Sequence, residues 1–502
     1  MFGLQRSSEM IRSSAAQAIA LALFVDVAGA FGADWPMRGG NGSRNAVVAE
    51  HEGPTDWELA DGNKAARNIR WSAELGHSSC GDPVIAGGLI WVGTSSGRNE
   101  EDASVLKCFR EEDGKLLFKY VSPRLVGVGA GFRNYGLDWP GTSLASSPLV
   151  EGDRLWFCTN RCEVICWDIA PLLARTGEPR TVWKVDLRSQ LGVVPKGIMI
   201  GSHASHCSIA GYKDLIYVNT TNAANDKKVV APDAPSLVCF QKLDGAVRWK
   251  DNSPGKNIID AQHGSPLVIE VAGRGQVVMG QGDGWVRGFD CLTGEMLWNF
   301  DINPKFPEET AHQLGGNRSD VVSMPVFANN RIYFAVGRHS EFCFGQGRVC
   351  CLDPTKRGDF SNELDERLGR RRPNETSGFV WEYVGEGDRD QDRMHRTLSA
   401  VVIHKGLVIA PDLSGGIIHC LDARNGKTVW THDANAALFA SPLIVGDKIY
   451  VAADDAVIVL ELSREKRLLA RHEMNDAIEA GPVFANGVLY LTTRNSLFAI
   501  GK

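Results

Sequence analysis

Beyond its first thirty residues the chain has no apolar run approaching the ~20 residues that a membrane helix needs, so no spanning segment is expected after the N-terminus. A basic excess is missing as well. With 54 Lys and Arg against 60 Asp and Glu the net charge is -6, which argues against nucleic acid or acidic lipid as the partner. The sequence has no C-x-x-C-H haem motif, no Cys or His spacing of a zinc site and no nucleophile–base motif of a hydrolase. A metal site is therefore not assigned. Bias toward disorder or collagen is absent too: 43% hydrophobic and 23% charged residues allow a large buried core.

What is present begins at the N-terminus. Arg6 and Arg12 precede an apolar run from Ala15 to Val25, followed by Ala28-Gly29-Ala30 and a second small-residue option ending at Ala33. This is the layout of a secretory signal peptide over residues 1–33, and it predicts a periplasmic or secreted protein. The first cysteine is Cys80, so no lipid-anchoring cysteine is expected near the cleavage site.

The rest of the chain repeats itself. A small residue, Pro and apolar residues open the unit, the copies at 207 and 400 lacking the Pro, then comes a Gly or Asn turn, then an alternating apolar strand. Openings stand at Gly81-Asp82-Pro83, Ser147-Pro148, Cys207-Ser208-Ile209, Ser265-Pro266, Met324-Pro325, Ala400-Val401, Ser441-Pro442 and Gly481-Pro482. The unit from 147 reads as four strands, Ser147 to Val150, Arg154 to Cys158, Glu163 to Asp168 and Thr181 to Leu187. Four short strands per unit, repeated, make a propeller blade. Units end on a tight turn and a Trp, as in Asp290 to Trp298, Asp422 to Trp430 and Cys239 to Trp249; Gly114 with Phe118 is a degraded copy, and Trp183 and Trp381 hold the same place. The turn needs Gly at positive φ, and the Trp is expected to dock flat between blades.

This spacing resembles the tryptophan-docking repeat of the pyrroloquinoline-quinone (PQQ) type, found in PQQ-dependent alcohol dehydrogenases and in the propeller subunit of outer-membrane assembly machinery. The resemblance spans about Trp35 to Lys502. Phrases such as Asp34-Trp35-Pro36, Asn252-Ser253-Pro254-Gly255 and Gly282-Asp283-Gly284-Trp285 are similar to a secreted bacterial branch of these repeat proteins. The last copy stops at its third strand, and Asn68 to Leu75 reads as the missing fourth. The fold class expected is thus all-β: one eight-bladed β-propeller over 34–502, of four-stranded antiparallel blades, closed by an N-terminal strand in segment 35–75. A charged insertion at 354–395 is expected to protrude from blade 5, with Asp388 to Arg393 as a solvated loop.

Cys108, Cys166, Cys239, Cys351 and Cys420 share one repeat position, a blade apart and too far for a disulfide; they read as small buried hydrophobes. Cys158 and Cys166 flank the turn around Cys162 and are expected to face each other across a hairpin as a free pair. The resemblance draws attention to the vicinal Cys350-Cys351, since PQQ alcohol dehydrogenases carry a vicinal disulfide beside the quinone. Here the pair lies in a repeat strand, where alternation sends the two side chains to opposite faces.

Long crossings at Val121 to Ser146, Arg188 to His206, Asn252 to Gly264 and Asn303 to Ser323 put the expected binding face on the side of the second-to-third-strand turns. Ligand-binding candidates there are Arg161, Glu163, His263, Asp283, Trp285, Arg338, His339, Asp412 and Arg494, with His203 and His206 nearby. Arg161, Arg338 and Arg494 suit an anion because a guanidinium fork matches a carboxylate, and Trp285 offers a stacking surface. Two functions stay open. One is a non-catalytic monomeric scaffold for a protein, peptide or polysaccharide. The other, implied by the resemblance, is a dehydrogenase of alcohols or sugars using PQQ and calcium, with Asp283 or Asp412 as base.

Overall fold

The computed structural model describes residues 33–97, 103–125, 143–195, 207–225, 228–259, 262–303, 319–337, 347–365, 371–387 and 393–502. Its strands form eight antiparallel four-stranded sheets, spanning 84–123, 149–186, 210–251, 267–301, 326–383, 402–433, 443–473 and 483–500. These are blades 1 to 8 of a propeller. Blade 8 takes its outermost strand from the other end of the chain: Ile69–Glu74 pairs antiparallel with Ser496–Ile500, Trp71 opposite Ala499. The closing strand expected from the sequence is in place.

The middle strands of each blade lie between two neighbouring sheets, so they lack a polar face. Leu215–Asn219 and Arg348–Leu352 are buried at every position, and alternate side chains enter different inter-blade cores. Cys350 packs in the core shared by blades 4 and 5, Cys351 in the core shared by blades 5 and 6, the opposition that strand alternation predicts. First and second strands are joined by tight turns whose two central residues both have positive φ, such as Asn329-Asn330 and Asn486-Gly487. That twist matches a hairpin and explains the Asn and Gly of the repeat.

Tryptophan docking is visible at five joints. The indole N–H of Trp71, Trp183, Trp249, Trp381 and Trp430 donates to a backbone carbonyl of the next blade, at Glu111, Lys242, Cys291, Ala423 and Ser463, over 2.9–3.1 Å. In the first four the ring covers the turn glycine, Gly114, Gly245, Gly294 or Gly426, where a Cβ would strike it. The repeat cysteines stand directly opposite the docking position: Cys166 faces Trp183, Cys239 faces Trp249, Cys351 faces Trp381 and Cys420 faces Trp430.

Three joints depart from this pattern, and in each the receiving turn has been replaced. Blade 2 carries the helix Ala170–Leu173 there, and blade 1 presents Phe118, edge-on to Trp167. Blade 5 carries its insertion there, and Trp298 of blade 4 stacks on Phe360 from that insertion, centroids 4.7 Å apart. Blade 8 is assembled from two distant segments with no turn between them, and blade 7 has only Ala470 at the register. The insertion does not simply protrude from blade 5, as the sequence suggested. Gly358–Asp359 adds a parallel strand to the outer edge of blade 4, because that edge still offers unpaired backbone groups.

The axis is filled by the chain's own residues. Trp35 exchanges two backbone hydrogen bonds with Ile85 of blade 1, the carbonyls of Pro36 and Ser43 accept from Val150 of blade 2 and Phe327 of blade 5, and the Asn45 side chain pairs with Ile403 of blade 6. Val47–Val48 then runs parallel to the innermost strand of blade 7. Arg44 supplies the missing contacts, donating to the carbonyls of Ser208, Ile209 and Pro266 of blades 3 and 4 and to that of Arg38. Its guanidinium is wholly buried, and burial with Arg38 beside it lowers its pKa to about 9, so it stays charged at neutral pH. This strap touches blades 1 to 7, and Ala33 and Asp34 just ahead of it accept hydrogen bonds from Asn486 of blade 8.

Around the strap, the small residue that opens each unit has a use. The amides of Ser147, Ser208 and Ala400 donate to the hydroxyls of Ser208, Ser265 and Ser441, and the amide of Gly481 donates to the Asp82 carboxylate at 2.7 Å. Each bond joins a blade to the next on the axis. Among the described residues, one cavity beside the strap, bounded by Trp35, Arg44, Asp82, Met324 and Pro482, has about 10 Å³, room for one water.

Candidate functional site

Second-to-third-strand turns and blade-to-blade crossings share one face, where the sequence candidates were expected. In blade 2 the turn before Glu163–Asp168 is short, so Arg161 and Glu163 sit at its end. Arg161 Nη1 donates to the carbonyls of Pro123 and Arg124 in the crossing from blade 1, at 3.4 and 3.3 Å. Glu163 accepts from Lys184 Nζ at 2.8 Å and from the Thr159 hydroxyl at 3.1 Å, and Arg161 Nε lies 3.9 Å away. The Glu163 carboxylate raises the Lys184 pKa through that hydrogen bond, and burial with the same carboxylate raises Tyr120.

In blade 4, Asp283 and Arg287 are an i, i+4 pair in the turn and strand around Trp285. They form a two-pronged bond, 2.7 and 3.0 Å, with both side chains nearly removed from solvent. The guanidinium lies 5.6 Å from the Trp285 ring centre, in cation–π range. His263 is buried in the crossing into this blade.

Asp412 closes the second strand of blade 6 and is fully buried. It accepts from the amide and Nδ1 of His395, at 2.8 and 3.0 Å, and from the Gly415 amide at 3.0 Å. His419 Nε2 approaches to 3.8 Å, while His419 Nδ1 is 3.1 Å from the Tyr383 hydroxyl. Burial works against the charged form of Asp412, but His419 and the amides of His395 and Gly415 outweigh it and hold the carboxyl below its ordinary value.

In blade 8, Arg494 grips Glu479 Oε1 through Nε and Nη2, at 2.9 and 2.6 Å, and that pairing raises its pKa. The Cys80 thiol donates to Glu479 Oε2 at 3.0 Å; burial and Glu479 push it up to about 12.

The candidates thus fall into separate units, each tying a turn to its own blade or to a neighbouring crossing. Arg161 and Arg494 spend their forks on carbonyls and on Glu479 rather than presenting them unengaged. His203, His206, Arg338 and His339, with Asp388 to Asp392, lie outside the described residues. Cys158 and Cys166 do not face each other: Cys158 is opposite Val164 and Cys166 opposite Trp156, because the two cysteines are not a register pair in this hairpin. Sequence reasoning passed over His395, His419, Arg38 and Arg44. Only the recurring Ser of the unit openings signalled the axial bonds.

Among the described residues the donor set fits calcium and quinone poorly. No trio of His, Cys, Asp or Glu gathers to hold a metal ion, and the vicinal cysteines point into two different cores. No helix among those residues is long and apolar enough to cross a membrane.

Comparison with known proteins agrees with the ring. The chain is 24% identical over 243 residues to the outer membrane protein assembly factor BamB of Moranella endobia (strain PCIT), a match covering 44% of this chain and 56% of that protein. The chain therefore spans little more than half of that relative. Among solved structures, BamB of Moraxella catarrhalis aligns over 86% of this chain and 98% of its own, with 15% identity and a TM-score of 0.52. The quinohemoprotein alcohol dehydrogenase of Comamonas testosteroni aligns over 93% and 80%, with 11% identity and a TM-score of 0.59. At these identities the structures speak for fold alone. With residues 102–502 matching its sequence profile, the chain belongs to the PQQ-repeat family described as outer membrane protein assembly factor BamB.

Proposed function

We propose that the chain is a non-catalytic scaffold of the cell envelope, exported by its N-terminal segment, which holds partner proteins during outer-membrane assembly. The observation that carries this reading is the axial strap. Residues 35–48 bond to blades 1 to 7 at the axis, and the cavity beside Trp35 and Arg44 has about 10 Å³, far below the ~300 Å³ of an ordinary small-molecule site. The family description supports the same reading. Recognition would then fall to the face of turns and crossings that carries Arg161, Glu163, His263, Asp283, Trp285, Asp412 and Arg494.

The dehydrogenase reading would need Asp283 or Asp412 as a base, and both carboxylates are already committed, to Arg287 and to His395. One pair of experiments tests the proposal. Deleting the gene in its own organism should lower the amount of folded outer-membrane β-barrel protein, and the intact gene should restore it. The purified protein mixed with PQQ and calcium should neither shift the quinone absorbance nor reduce a dye with alcohols or sugars. Unchanged barrel levels, or dye reduction, would overturn the reading.

A further inference from the structure

Two places near the N-terminus offer small residues for removal of a signal peptide, Ala28-Gly29-Ala30 and Phe31-Gly32-Ala33; residues 28–32 lie outside the described residues and enter only as sequence. An A-x-A-like cleavage site needs a small side chain on the residue it cuts after and on the second residue before that. Ala30 with Ala28 meets both demands. Ala33 meets only the first, because its counterpart is the bulky Phe31.

The fold separates the two options again. Asp34 staples the joint between the last blade and the first: its Oδ2 accepts from the Gly87 amide of blade 1 at 3.0 Å, and its Oδ1 accepts from Asn486 Nδ2 of blade 8 at 3.1 Å. The Asn486 amide also donates to the Ala33 carbonyl at 3.4 Å, and the Trp35 amide donates to Ile85 at 2.8 Å. Ala33 and Asp34 are exposed, so chain ahead of them can leave the joint without crossing a packed core. A cut after Ala33 would remove that carbonyl and set a new ammonium on Asp34, in competition for the carboxylate that the two blades share. A cut after Ala30 keeps Phe31-Gly32-Ala33 between the ammonium and the staple.

We infer that the mature chain begins at Phe31, the signal peptide being hydrolysed between Ala30 and Phe31. One water is consumed. Its hydroxyl completes the Ala30 carboxyl group, its remaining hydrogen completes the Phe31 amine, and the carboxyl proton passes to that amine at neutral pH. The assignment rests on the export proposed above and adds where the exported chain starts.

The full-length chain with a C-terminal affinity tag is expressed in its own organism, cytoplasm and envelope are separated, and the protein from each fraction is read by N-terminal sequencing and intact mass. Outside the cytoplasm the sequence should open Phe31-Gly32-Ala33-Asp34-Trp35. Ala30→Leu should lose that terminus, whereas Ala33→Leu should be cut as the unaltered chain is. A terminus at Asp34, an uncut chain outside the cytoplasm, an unchanged cut in Ala30→Leu or a lost cut in Ala33→Leu would overturn the assignment and leave export standing. Unaltered chain found only in the cytoplasm, uncut, would overturn both.

Discussion

Trp57 lies stacked on His472, ring centroids 3.7 Å apart, beside the Ala470 that blade 7 carries where other blades carry a docking tryptophan. His472 Nε2 also donates to the carbonyl of Thr55 at 3.1 Å. The segment that follows the strap thereby supplies the aromatic mass at the joint with no receiving turn. Trp57→Ala should cost about 3–5 kcal/mol, since the ring is fully buried, measured as a lowered urea midpoint. An unchanged midpoint would mean that the joint is held by other contacts.

Closure of the ring should be sensitive to Trp71. Its indole bonds Glu111 and covers Gly114, whose φ is +69°. Trp71→Ala should lower stability by about 2–3 kcal/mol, because the ring is only partly buried. Gly114→Ala should also destabilise, since its Cβ would need a backbone conformation that L residues disfavour and would collide with the indole. Thermal melts of both variants, alone and combined, should show a combined loss smaller than the sum of the two single losses if the two form one contact.

Arg44→Met tests the axis. Removing the guanidinium leaves four backbone carbonyls without their donor, and the expected loss is about 3 kcal/mol or more. Arg44→Lys should recover only part of it, because one ammonium cannot reproduce the planar fork. Equilibrium denaturation of the two variants beside wild type gives the order directly.

Asp412 predicts a pH dependence. Its folded-state pKa lies below the ordinary carboxylate value, so the unfolded chain binds its proton more readily. The stabilisation is therefore present above the unfolded pKa of ~3.9 and is lost as pH falls through the lower folded value. Between pH 6 and 3 the melting temperature of Asp412→Asn should fall less than that of wild type. Parallel curves would remove the carboxylate from the acid transition.

Phe360 gives a test of the insertion. It is fully buried against Trp298 and Phe300 although it belongs to a charged surface excursion of blade 5. Phe360→Ala should cost about 3–4 kcal/mol, whereas Leu243→Ala, on a side chain that is 77% exposed, should change little. Denaturant titrations of the pair would separate a structural clamp from a loose appendage.

How much of this was legible in the sequence depends on whether the signal was local. Asn and Gly turns, alternating strands and the Gly-to-Trp spacing are short-range, and they located the blades and the closing strand around Trp71. The strap was not legible. Trp35, Arg44, Asn45 and Val47 find partners at Ile85, Pro266, Ile403 and Ile444, contacts that no periodicity encodes. The site suffered the same limit. Asp412 stood out as a polar residue on the right face, but its partner His395 sits 17 positions away across a crossing. The exception at Trp298 was hidden because the motif was intact; what had changed was the receiving turn of the next blade.

The strap also sets a timetable. Residues 35–48 are among the first of the propeller to be synthesised, yet Val47 pairs with Ile444 and Ile69 with Ile500. Contacts so distant along the chain form slowly. The earliest residues therefore wait for the latest, and a nascent or truncated chain lacking the final two blades holds an unclosed arc with its axial groups unsatisfied. Such an arc is the state a chaperone would meet, and full-length release is the moment when the molecule can first become whole.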